Sequence, residues 1–105
     1  MKMGKNATKA PDDIEQQRHE LLDELIADHG IRWAEQYEPG SFGCHELLDR
    51  TSLVVNLVDE YVRTHPACLQ NPEWFALAET AMRALQELYQ QVGAAHLEDD
   101  SQSVA

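Results

Sequence analysis

The stretch NPEWFALAETAMRALQELYQQVG, residues 71–93, decides the fold. Asn71 offers a side-chain oxygen to the first free backbone amides of a helix, Pro72 suits the first helical position, and Glu73 stands beside the positive end of the helix dipole. Trp74, Phe75, Ala78, Ala81, Met82, Leu85, Leu88, Tyr89 and Val92 then recur at helical spacing along one stripe, with Glu79, Arg83, Gln86, Glu87 and Gln90 opposite. Gly93 is expected to end this helix.

A second helix is predicted upstream from Cys44 to His65, stopped by Pro66, which lacks an amide hydrogen and crowds the preceding turn. Projected at about 100° per residue, Leu47, Leu48, Leu53, Val54, Val55, Leu57, Val58, Tyr61 and Val62 fill an arc of roughly 220°. One neighbour cannot cover so wide an arc, so this helix must be central, touching both other helices or a second subunit as well. A first helix starts after Pro11, where Asp12 and Glu15 have the spacing of a capping box. Ile14, Arg18, Leu21, Leu22, Leu25 and Ile26 carry its stripe, and His29 with Gly30 supplies the C-terminal cation and the left-handed residue. Between the first two helices, IRWAEQYEPGSFG (31–43) reads as one short helical turn and a loop, with Trp33, Tyr37 and Phe42 folded back over one end of the domain.

No segment alternates in the manner of a strand, so the class is all-α. Short connections between the helices predict an up-down-up three-helix bundle with an extra helical turn between helices one and two. Residues 1–10 are expected to form a disordered basic arm, 11–97 a single helical domain and 98–105 a disordered acidic tail.

The net charge is −11, and residues 11–97 hold 16 carboxylates against five arginines. That field disfavours phosphate backbones and anionic lipid, so neither nucleic acid nor a membrane is the expected direct partner. A partner protein with a basic surface fits better. The chain has no run of about 18 apolar residues and no leader-like apolar segment in its first residues, which makes the cytoplasm the default location. Cys44 and Cys68 would lie about 30 Å apart at opposite ends of the second helix, too far for a disulfide, and two free thiols suit a reducing compartment.

If the helices alternate in direction, one end of the bundle gathers His29, Cys44, His45, Asp49 and His96, a set of imidazole, thiolate and carboxylate groups able to hold zinc or a similar divalent metal. The same residues also read as surface and cap histidines, because nothing here has the tight spacing of paired metal ligands. Cys44, in the first turn of a helix, would be stabilised as thiolate by the dipole. It shares an arc with Leu47, Leu48 and Thr51, however, and reads first as a small core hydrophobe. Glu46 with Arg50, Asp59 with Arg63 and Glu79 with Arg83 have the spacing of helical surface pairs, and no carboxylate pair stands out as catalytic.

On the first helix, Asp13, Glu20, Asp23, Glu24 and Asp28 cluster on one face, with Glu20, Glu24 and Asp28 stacked at i,i+4 despite their mutual repulsion. The leading expectation is a small, acidic, non-catalytic protein-interaction module, homodimeric through the wide arc of the second helix. Its contacts would come from the acidic face, from Trp33, Tyr37 and Phe42, and from Leu53 and Leu57. The alternatives are a metal- or thiol-dependent protein using the histidine-rich end, and an acidic inhibitor of a nucleic-acid-handling protein.

Overall fold

A computed structural model gives the backbone of residues 11–104 and the side chains of 12–97. The basic arm expected over residues 1–10 lies outside the described residues. The protein is all-α, and no strand occurs among the described residues. Helix α1 (Pro11–His29) and the single turn α2 (Ile31–Ala34) lead into a 3₁₀ turn (Glu35–Tyr37). Helix α3 (Phe42–Leu57) runs directly into a π-helical turn (Val58–Arg63), followed by the short α4 (Pro66–Leu69) and the long α5 (Pro72–Val104). These elements fall into two compact units that divide between Glu35 and Gln36.

In the first unit the stop signal acts as expected. Gly30 has φ 90° and its N–H donates to the Ile26 carbonyl at 2.7 Å, which turns the chain out of α1. The His29 and Trp33 rings then stack across that corner with centroids 4.5 Å apart.

In the second unit Glu38–Pro39–Gly40–Ser41 forms a tight turn, with Gly40 at φ 87° and the Ser41 N–H donating to the Glu38 carbonyl at 3.0 Å. Proline second and glycine third is the pattern of a type II turn. Ser41 caps α3, its Oγ accepting from the Cys44 N–H at 3.1 Å. The helix therefore begins at Phe42, two residues ahead of the expected start. Asn71 caps α5 as the sequence predicts, with Oδ1 accepting from the N–H groups of Glu73 (3.1 Å) and Trp74 (3.2 Å).

Helices α3 and α5 form an antiparallel hairpin, since Gly93 meets Leu48 at one end and Arg63 reaches Glu79 at the other. The core between them is thin: Cys44, Leu48 and Thr51 on α3, Ala78 on α5 and Cys68 from α4. Thr51 satisfies its buried hydroxyl by donating to the Leu47 carbonyl at 2.8 Å. Cys44 and Cys68 are both buried free thiols.

Two expectations about helix ends need correction. The second helix does not continue as α-helix to His65. From Val58 the turn widens, and Thr64 donates through both its N–H (3.3 Å) and its Oγ1 (2.8 Å) to the carbonyl of Asp59, five residues back. The third helix does not stop at Gly93, because that glycine is not left-handed and the backbone runs on helically to Val104. Residues 98–104 therefore carry helical backbone where the sequence suggested an unstructured tail. Ala94 and Ala95, the best helix formers, follow Gly93 and carry the helix past it.

A methyl on Gly93 would sit 3.8 Å from Leu48 Cδ2, an ordinary van der Waals contact. Gly93→Ala is accordingly expected to stabilise the hairpin by about 0.5–1 kcal/mol, the difference in helix propensity. Chemical denaturation followed by far-ultraviolet circular dichroism measures it, and a lowered midpoint would refute the close but open packing described here.

Candidate interaction surface

The hairpin has two unlike sides, and helical spacing explains why. On α3 the residues turned to α5 are Cys44, Leu48, Thr51 and Val55, and α5 answers with Ala78, Met82 and Leu85. About 100° around α3 from that seam run Leu47, Val54, Leu57 and Tyr61, all exposed. A similar rotation around α5, opposite in sense because that helix points the other way, brings up Trp74, Leu77, Ala81 and Leu88, also exposed. Antiparallel direction thus puts both stripes on one side of the hairpin. The other side carries Ser52, Asn56, Gln86 and Gln90, together with Val55 and Tyr89, around a depression of mixed polarity.

At its π-helical end the apolar side deepens into a groove of about 500 Å³ lined by Tyr61, Val62, His65, Cys68, Trp74 and Leu77. Tyr61 is 67% exposed, Trp74 56% and Leu77 70%. The π turn helps shape this groove, and an ion-pair network fixes the turn. Arg63 donates to Asp59 Oδ1 (2.6 Å from Nη2), reaches Glu79 Oε1 at 3.5 Å and lies over the Phe75 ring at 5.6 Å. Hydrogen bonding to Asp59, joined by the negative charges of Asp59 and Glu79, raises the pKa of an already cationic Arg63. Glu79 also accepts from Arg83 at 2.7 Å, and Glu46 meets Arg50 at 3.3 Å, so the three helical pairs expected from spacing are formed.

Of the residues expected at the histidine-rich end, the hairpin gathers three. The His45 and His96 rings lie 5.7 Å apart between centroids, and His45 Nε2 is 3.6 Å from Asp49 Oδ2. His96 Nδ1 accepts from the Gly40 N–H at 2.9 Å, which holds the Pro39–Gly40 turn against α5. Cys44 is buried in the seam as a small hydrophobe, and His29 belongs to the first unit, stacked on Trp33. Among the described residues no three His, Cys, Asp or Glu side chains converge in a way that could hold a metal ion.

The aromatics expected over one end of the domain belong to two different units. Tyr37 lies against Gly43 at the start of α3, whereas Trp33 stays in the first unit. Phe42 is 86% exposed, because the Ser41 cap makes it the first helical residue and turns its side chain outward. Leu53 is exposed on the back of α3, and Leu57 belongs to the apolar side. Asp13, Glu20, Asp23, Glu24 and Asp28 are all exposed on α1. Two of them are partly answered locally, Glu20 by a Gln16 amide (3.1 Å) and Asp23 by His19 (3.9 Å).

The sequence sets Tyr61 on the wide arc of the second helix and Trp74 on the stripe of the third, and leaves Leu77 unassigned. Leu77 follows Trp74 by three residues and precedes Ala81 by four, and this second stripe beside the main one was the available signal. No helix among the described residues is long and apolar enough to cross a membrane. Comparison with protein-family models, with curated proteins and with solved structures gives no match, so the geometry of the hairpin carries the functional reading.

Proposed function

We propose that this protein is a small, acidic, non-catalytic interaction module that binds other protein surfaces through the apolar side of the α3–α5 hairpin. One observation carries the reading: the exposed large apolar side chains of both stripes lie together on one side, while the opposite side presents Ser52, Asn56, Gln86 and Gln90 beside Val55 and Tyr89. Monomeric proteins rarely leave more than a few hundred Å² of contiguous apolar surface uncovered unless it is used. The carboxylates of α1 supply a separate, charge-based surface for a basic partner, which is where the inhibitor alternative finds its support. The up-down-up three-helix bundle is the competing intramolecular arrangement, favoured by the exposed stripe of Ile14, Leu21 and Leu25 on α1, which could cover the same side.

Parallel affinity purifications with the wild-type chain, Leu77→Glu and Gln86→Glu test the reading. Partners held by the apolar side are expected to be lost with Leu77→Glu and kept with Gln86→Glu, on the opposite side. They should also withstand raised salt, whereas partners held by the α1 carboxylates should leave. Equal retention by all three baits would overturn the assignment of the surface.

A further inference from the structure

We infer that the occupant of the apolar side is a second copy of this chain, two α3–α5 hairpins closing face to face into a four-helix bundle about a twofold axis. The inference rests on the interaction reading above and adds the identity of the partner.

Area is the first argument. The seven large apolar residues of the two stripes are each exposed by 41% to 70%. At about 150–200 Å² for a free side chain of this size, they offer on the order of 700 Å². A stable pairwise interface covers about 800 Å² per partner, so one hairpin matches what another would need. Shape is the second. Ala81 and Ala84 lie exposed in the middle of the α5 stripe, where small side chains let helices approach within about 8–10 Å. The groove lies at the π-helical end, not the middle. A twofold axis lying in the interface and running across the helices at their middle would therefore bring the Leu47 end of each copy over the groove of the other, and every contact would be made twice.

Charge is the third argument, and it sets the direction of the salt effect. The two stripes contain no carboxylate, while the whole chain carries −11. Two such copies repel through their flanks and attract only through the apolar seam. Raising ionic strength screens the repulsion, so the dimer should tighten with salt, opposite to a complex made through the acidic face of α1.

Sedimentation equilibrium of the full chain at micromolar concentration is expected to give twice the chain mass, with tighter association at higher salt. Leu77→Glu, which would set a charge against the apolar face of the other copy, should weaken association by roughly thirtyfold or more, and Gln86→Glu should leave it unchanged. A Trp33→Phe background leaves Trp74 as the sole tryptophan. In the dimer its quenching by iodide should be weak and should rise on dilution. A monomeric wild type with Trp74 freely quenched would overturn the second-copy inference while leaving the surface open for another protein. A monomer with Trp74 shielded at every concentration would overturn both, because the chain would then cover its own apolar side. A dimer undisturbed by Leu77→Glu would also overturn the inference, since the copies would be meeting elsewhere.

Discussion

Leu48→Ala is expected to destabilise the hairpin by about 2–4 kcal/mol, a large share of what a domain this small can possess. Leu48 is 8% exposed and stands in the seam beside Gly93 of α5. The other buried residues, Cys44, Thr51, Cys68 and Ala78, are all small, so Leu48 is the one large side chain among the buried ones. Poor collapse around a cavity is what drives such substitutions to the upper part of their range. Urea denaturation monitored by circular dichroism measures the loss. Leu53→Ala is the control on the same helix, since Leu53 is exposed on the back and its truncation should change stability by less than about 0.5 kcal/mol. Similar effects from the two variants would show that α3 does not turn Leu48 into the seam.

That small core explains why some features of this fold were legible in the sequence and others were not. Signals decided by one or two residues survived. Asn71–Pro72–Glu73 starts α5, His29–Gly30 ends α1, and Pro39–Gly40 makes the turn before α3. Gly93 misled because a glycine stop costs about 1 kcal/mol to override, and Ala94 and Ala95 together override it. The π turn has no periodic signature at all. It shows only when the Thr64 hydroxyl and amide find the Asp59 carbonyl and Arg63 finds Glu79 on another helix.

The apolar arc of the second helix is wider than one neighbour can cover. The fold divides it into a covered half, Leu48 and Val55, and an uncovered half, Leu47, Val54, Leu57 and Tyr61. Which half would be covered depends on where α5 docks around α3, and residue spacing within a single helix does not contain that information. The candidate surface was therefore legible as composition but not as location. Leu57 was named for it from sequence, while Tyr61, Trp74 and Leu77 emerge only once the two helices are set side by side.

Gly43→Ala is expected to destabilise the hairpin by about 2 kcal/mol, the reverse of the effect expected from the same substitution at Gly93. A methyl at Gly43 would overlap the backbone carbonyl oxygen of Gln36 and the Cδ1 atom of Tyr37, and would lie 2.9 Å from Tyr37 Cε1. Tyr37 could rotate aside, but the Gln36 oxygen is main chain and can move only with the segment that carries it. Overpacking of this kind costs about 1–3 kcal/mol and outweighs the helix propensity gained from alanine. The displaced segment includes Gly40, whose N–H donates to His96 Nδ1, so the contact between the turn and α5 should be lost along with the Tyr37 packing. Amide hydrogen exchange gives the specific readout. In Gly43→Ala the Gly40 amide should lose protection by at least about tenfold, while amides in the middle of α5 change only in step with global stability. Retained protection at Gly40 with an unchanged denaturation midpoint would mean that the 36–41 segment does not rest on the start of α3, and the account of the histidine-rich end would fall with it.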